Sequence, residues 1–220
     1  MTKLDFISKL HTRTNRDYVE RVIKHNKAKC ASKAKQWGYD YWDGERQFGY
    51  GGMYYDGRWK SVAENMACYY ELKAGDRILD VGCGKGFLLY EFSQLIPGIE
   101  VMGIDISKYG VENAKEEIRP FLSLGHCKKL PFEDGEFDFV YSINTFHNLM
   151  NFELFAALKE FQRVGRDKHY ICVESYRDEQ EKANLLYWQL TCESFYSPEE
   201  WQWFYDLVGY KGDVDYIFFE

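Results

Sequence analysis

The sequence predicts a doubly wound α/β fold, a parallel sheet covered by helices on both faces, on three observations. From about residue 77 onward, short apolar runs alternate with amphipathic helical patterns. The runs are nearly continuous in apolar residues, as strands buried on both faces require. A glycine cluster, "DVGCGKG" at 80–86, stands between the first strong run and a helix-forming stretch, where such a sheet places its ligand loop.

Residues 12 to about 36 are charged and rich in helix formers, and 37–59, "WGYDYWDGERQFGYGGMYYDGRW", are aromatic and glycine-laden. A helix is expected over 61–72, a turn at 73–76 and a strand at 77–81. The alternation continues with helix "FLLYEFSQL", strand "GIEVMGID", helix "SKYGVENAKEEI", short strand "FLSLG", strand "FDFVYSI", helix "FELFAALKEFQRV" and strand "KHYICVES". A helical stretch around 178–192, a helix from Pro198 to Leu207 and a single last strand, "DYIFFE", complete the chain. One domain spans 1–220, with N-terminal helices and an aromatic segment over 1–72 and a ligand-binding core over 73–220.

At 220 residues and 45% apolar composition the chain can bury a substantial core. A net charge of -7 excludes general nucleic-acid binding, which depends on clustered Lys and Arg. The six cysteines show no C-x-x-C pair and no zinc-ligand spacing, so reduced thiols are expected. No stretch approaches the ~18 apolar residues of a membrane span, and a cytoplasmic location is expected.

The glycine loop narrows the ligand. A dinucleotide fingerprint G-x-G-x-x-G counted from Gly82 needs glycine where Phe87 stands, and Asp80 is a poor neighbour for a pyrophosphate. A ligand with positive charge and no phosphate suits the loop better, and S-adenosylmethionine carries a sulfonium and an ammonium group. "ILDVGCGKG" resembles the first motif of the class I S-adenosylmethionine-dependent methyltransferases, an acidic residue followed by G-x-G-x-G. The resemblance implies a Rossmann-like methyltransferase sheet and assigns Asp80, Gly82, Gly84 and Gly86 to the donor loop. It places Asp105 and Ile106 of "VMGIDIS" at the end of the second strand, where the carboxylate holds the ribose hydroxyls. "GHCKKLPFEDGEFDFVYS" (125–142) is similar to the family's adenine loop and fourth strand, which implies adenine contacts by His126 and Cys127. His126 stands where many relatives carry an acidic residue. Each marker also has a local use: Asp105 could cap the helix after it, and the glycines could serve strand–helix packing alone.

Methyl transfer needs alignment and, for a hydroxyl acceptor, a base. The ends of the fourth and fifth strands offer Asn144 and His147, then Glu174, Tyr176 and Arg177. His147 is the first candidate base, because imidazole titrates near neutrality; Glu174 is the second. The N-P-P-Y signature of methyltransferases acting on planar nitrogens is absent, as are the acidic metal ligands of the catechol group. A metal-free O-methyltransferase is expected, with N-methylation open.

In relatives the region before the sheet forms a lid over donor and acceptor. Tyr41, Tyr50, Tyr54, Tyr55 and Trp59 could shield a sulfonium or simply fill the core, and the four glycines of "FGYGGMYYDGRW", from which a core segment gains nothing, favour a lid. Arg46 and Arg58 within that segment suggest a small acceptor bearing phosphate, carboxylate or another anion. The Lys-rich run at 21–35 reads equally as a solvated helix face. A nucleotide-dependent oxidoreductase and a non-catalytic domain that keeps the donor pocket are the alternatives. One strand fewer than the family's seven leaves a sheet edge at which a homodimer could form.

Overall fold

The computed structural model describes residues 1–11 and 16–220. The chain begins with α1 (Ser8–His11), α2 (Tyr18–Lys24), α3 (Lys27–Ala34) and α4 (Tyr39–Trp42), then α5 (Lys60–Tyr69). Asp17 and Asn26 cap α2 and α3 by accepting from Glu20 N and Lys29 N, which starts two charged helices that bury little surface of their own. The core follows as β1 (Arg77–Val81), α6 (Phe87–Leu95), β2 (Glu100–Asp105), α7 (Lys108–Glu112), β3 (Leu122–Leu124) and β4 (Phe137–Ile143). It ends with α8 (Asn151–Val164), β5 (Gly165–Glu174), α9 (Glu179–Trp188), α10 (Pro198–Val208) and β6 (Asp213–Ile217).

Among the described residues the six strands form one parallel sheet in the order β3-β2-β1-β4-β5-β6. Period-2 alternation divides its side chains cleanly. Ile78, Phe139, Tyr141, Tyr170, Cys172 and Ile217 pack with α5, α6 and α9 on one face. Leu79, Val81, Val140, Ile171, Val173 and Val214 pack with α8 and α10 on the other. Burial on both faces explains why the strands read as unbroken apolar runs.

Two boundaries and one sheet edge differ from expectation in ways the structure explains. The helix after β2 stops at Glu112, because Gly110 and Asn113 are poor helix formers and the Asn113 side chain bonds back to Tyr109 O. The last strand is 213–217 rather than 215–220, since its register is set by pairing Tyr170 with Asp213 through Glu174 with Ile217. The far edge of β6 is not bare: Leu4 N donates to Val214 O and Val214 N donates to Thr2 O, so the N-terminal residues run alongside it. All six cysteine thiols are free.

Candidate functional site

The strand order reverses between β1 and β4, and ligands of open α/β sheets sit beyond the carboxyl ends of the strands at such a point. Two loops meet there, 82–86 after β1 and 144–148 after β4. Gly82 and Gly84 have φ of +87° and +54°. A side chain at Gly82 would collide with Thr145 of the opposite loop, and a Cβ at Gly84 would lie 2.5 Å from the Trp42 ring. Only glycine permits both the left-handed turn and these approaches. Gly86 acts elsewhere, since it caps α6 and packs against Leu122 and Ile118, away from the cavities.

Asp105 pins this loop. Its Oδ2 accepts from Gly84 N at 2.7 Å and its Oδ1 from Ser107 N at 2.6 Å. Each carboxylate oxygen keeps a second lone pair, so two hydroxyl donors can still be accommodated. Burial raises the Asp105 pKa. The Asp80 carboxyl is pushed up to about 8 by burial, with the Asp105 charge adding to it. A carboxyl held out of water on the wall of each adjoining cavity favours a cationic ligand, whose charge would offset the cost of ionising it.

Two cavities flank the glycine loop. One of about 80 Å³ is lined by Asp80, Gly82, Gly84, Phe87 and Asn144. The other, about 340 Å³, is lined by Asp105, Ile106, His126, Cys127, Asn148 and Glu153 among others. Gly82, Trp42, Tyr50 and Asn144 belong to both, so the two form one elongated trough. The Oδ1 atoms of Asn144 and Asn148 are buried along it without hydrogen-bond partners among the described residues. An amino acid joined to a nucleoside through a cationic sulfur fits this set: carboxyls at the narrow end and by the sugar position, and amide acceptors along the wall. His126 cannot use Nδ1 as an acceptor for such a ligand, because that atom accepts from Lys128 N at 3.2 Å.

The aromatic segment lies directly over the glycine loop. Trp42 wedges between Gly84 and Gly110, donates from Nε1 to Ser107 Oγ at 2.7 Å, and stacks on Tyr50 at 5.4 Å and 17°. Beside it, Lys85 of the glycine loop donates to both Asp43 oxygens (2.8 and 2.7 Å) and to Met53 O (2.7 Å). Asp43 also accepts from Met53 N and Tyr109 Oη. Lys85 is 6% exposed, so all three ammonium donors are spent inside the protein on tying the segment to the loop.

A third cavity, about 420 Å³, opens from the trough at Tyr50 and Asn144. Its floor holds His147 and Glu174, both buried. His147 Nδ1 accepts from Glu174 N at 3.3 Å, which leaves the ring proton on Nε2, 3.4 Å from Glu174 Oε2. Burial pushes the His147 imidazole down to about 3 and the Glu174 carboxyl up to about 8. Gln189 Nε2 donates to Glu174 Oε1, while Oε2 has no hydrogen-bond partner among the described residues. Asn144, at φ +57°, holds the junction between this cavity and the trough.

Of the acceptor residues expected from sequence, Arg46, Tyr54 and Arg58 line this cavity, although Arg58 is already paired with Asp56 and Tyr54 is 72% exposed. Tyr176 and Arg177 do not line it. Tyr176 is buried and donates to Glu200, and Arg177 is tied to Glu181 and Glu220, because the chain turns away from the sheet end into α9. Sequence reasoning missed Trp42, Asp43, Lys85, Asn148 and Trp188, and it reached Arg21 only as the first residue of the basic run at 21–35. Lys85 stands inside the glycine motif and carried a signal, whereas the others become neighbours only through tertiary packing.

The profile of the methyltransferase domain family matches residues 72–218, which contain the entire sheet and both site loops. The chain belongs to that family. A profile for protein-L-isoaspartate(D-aspartate) O-methyltransferases also matches residues 12–130. The methyltransferase is 36% identical over 114 residues to an uncharacterized methyltransferase of Schizosaccharomyces pombe, covering 46% of this chain and 40% of the relative. It is 33% identical over 117 residues to a ubiquinone/menaquinone biosynthesis C-methyltransferase of Geotalea uraniireducens, covering 50% of this chain and 48% of the relative. The chain thus spans half or less of the length of these curated relatives. Its fold is similar to that of an S-adenosylmethionine-dependent methyltransferase from Aquifex aeolicus, with a TM-score of 0.51 and 26% identity over 67% of this chain and 78% of that one. The YcgJ protein of Bacillus subtilis shares the fold at a TM-score of 0.55, 24% identity and 66% coverage of each chain. The Aquifex aeolicus protein is S-adenosylmethionine-dependent, and the chemistry of that donor suits the trough described above. Among the described residues no helix is long and apolar enough to cross a membrane.

Proposed function

We propose that the methyltransferase transfers a methyl group to a hydroxyl of a small anionic metabolite seated in the 420 Å³ cavity, with Glu174 as general base. The observation that carries this reading is the buried, unpartnered Oε2 of Glu174, beside the Asn144 junction where the donor trough opens into that cavity. S-adenosylmethionine supplies, when bound, an electrophilic methyl carbon on a good leaving group. Asp105 takes the ribose hydroxyls while pinning Gly84, and Asp80 faces the positive end of the amino-acid portion. Asn148 Oδ1, rather than His126, serves as the acceptor for the adenine amino group. Tyr50 and Trp42 cover the trough as a lid, exclude water and present ring faces to the sulfonium.

Glu174 and His147 exchange the order that unperturbed acidities suggest. A His147 ring whose Nδ1 already accepts a backbone N–H, and which burial keeps neutral, has no lone pair to offer. Its Nε2–H instead faces Oε2 and favours the carboxylate form that takes up the proton of the acceptor. A base with a pKa of about 8 suits deprotonation near neutrality. His147 is therefore a positioning residue. The test has two stages: calorimetry with S-adenosylhomocysteine, then mass spectrometry of the donor-loaded enzyme with a metabolite extract. Absence of binding in folded protein would defeat the enzymatic reading, and an acceptor methylated on nitrogen or carbon would defeat the choice of oxygen.

A further inference from the structure

The wall of the 420 Å³ cavity away from Glu174 is built from the N-terminal helices, the aromatic segment and the end of α9. Arg21 of α2 and Arg46 of the aromatic segment both approach Trp188, their guanidinium carbons 4.5 and 5.2 Å from its ring centre. Their hydrogen bonds go to backbone carbonyls: Arg21 donates to Trp188 O at 3.0 Å and to Arg46 O at 3.4 Å, and Arg46 donates to Gly49 O. No carboxylate pairs with either among the described residues, and no carboxylate offsets the lowering of their pKa values by burial. Burial and the neighbouring Arg46 together bring Arg21 down to about 10. Two like charges are thus held beside each other at a cavity wall where Arg16, bonded to His11, also approaches Trp188, and Glu174 is the one carboxyl among the described residues that line it.

Such a pair is unfavourable in the empty protein, and an anion between the two forks would relieve the repulsion. Nearby Arg58 cannot serve in this way, because both oxygens of Asp56 occupy its guanidinium. The cavity between the guanidiniums and Glu174 is lined by Ile7, Leu10, Trp59, Phe87, Ile217 and Phe219. Guanidinium groups, a buried carboxyl and several apolar side chains on the wall of one cavity define the ligand.

We propose that the acceptor is an amphipathic organic acid whose carboxylate or phosphate is bound by Arg21 and Arg46 against Trp188, with its apolar body directing a hydroxyl to Glu174. Arg21 and Arg46 are then specificity-determining residues. This rests on the reading of the cavity as the acceptor site, and it adds the residues that select the acceptor.

The test is calorimetry on the full chain saturated with S-adenosylhomocysteine, using benzoate, phenyl phosphate and neutral benzamide as probes. The two anions should bind at least about tenfold more tightly than benzamide, and inorganic phosphate should compete with them. Stronger binding of benzoate identifies a carboxylate, and stronger binding of phenyl phosphate a phosphate. In R21Q/R46Q the preference over benzamide should vanish while S-adenosylhomocysteine affinity stays unchanged. If that variant does not fold, phosphate competition in the wild-type protein decides the matter. Equal binding of benzoate, phenyl phosphate and benzamide, or an undiminished preference in R21Q/R46Q, overturns the proposal. Failure of S-adenosylhomocysteine itself to bind would defeat the methyl-transfer reading beneath it, a separate and earlier result.

Discussion

Replacing Lys85 by Met tests whether the aromatic segment is a lid fastened by the donor loop. The ammonium makes two hydrogen bonds to Asp43 and one to Met53 O, all between 2.7 and 2.8 Å. Hydrogen bonds to charged groups contribute about 1.5–3 kcal/mol, and the Asp43 side chain is 26% exposed, so solvent reduces the pair below the value of a fully buried one. A coupling of about 1–2 kcal/mol between the two side chains follows, equivalent to about 5- to 30-fold in affinity for any ligand that requires the fastened state. Asp43→Asn retains an oxygen to accept from Met53 N but loses the charge. Calorimetric titration of S-adenosylhomocysteine into wild type, K85M, D43N and the double variant closes the thermodynamic cycle, and melting temperatures of the four ligand-free proteins control for global destabilisation. The lid interpretation fails if the coupling in ligand binding lies within about 0.5 kcal/mol of zero. It fails equally if K85M binds the product within about twofold of wild type.

Further outcomes are expected at Glu174 and His147, at Asp80 and in the glycine loop. Glu174→Gln should lower kcat by about 10²- to 10⁴-fold with unchanged donor affinity. The wild-type rate should rise with pH and level off above about 8, as the carboxyl loses its proton. In His147→Asn that rise should move to higher pH, because a donor facing the carboxylate is lost; a fixed profile would make His147 a packing residue only. Asp80 and Glu174 are raised above their unfolded values, so the folded ligand-free protein holds more protons, and stability present below about pH 4 is lost as pH rises toward 8. Donor-product binding places an ammonium near Asp80 and should release protons, seen as a dependence of calorimetric heat on buffer ionisation enthalpy; no dependence would remove Asp80 from the cation site. Gly84→Ala forces a side chain to φ +54° against Trp42 and should weaken S-adenosylhomocysteine binding at least about tenfold, while Gly57→Ala, at open space and φ +77°, reports the backbone strain alone.

Local patterns carried the sheet and the donor half of the site. β1, α6 and β4 fall where apolar runs and periodicity put them, because strands buried on both faces and an amphipathic helix impose strong signals over short distances. Asp80, Gly82, Gly84 and Asp105 were picked out by their resemblance to a family motif, and the structure shows the left-handed turn at Gly82 and Gly84 and the Asp105 bond to Gly84 N that such neighbouring residues make. The order of the two candidate bases was not legible. Unperturbed acidity favours His147, whereas the proposed choice of Glu174 rests on burial and on the Glu174 N–H bond to the ring, neither of which is a property of adjacent residues.

The sequence by itself determined the doubly wound class, the donor loop and the nature of the donor, since each depends on contiguous residues whose backbone demands or charges can be read in place. Only the tertiary structure decided what covers that loop and what faces the acceptor. Lys85 and Asp43 are 42 positions apart, and Arg21 stands 167 from Trp188, so their contacts arise from how α2, α9 and the aromatic segment pack. Desolvation and pairing across such distances set the acidity of Glu174 and leave Arg21 and Arg46 without a carboxylate partner among the described residues.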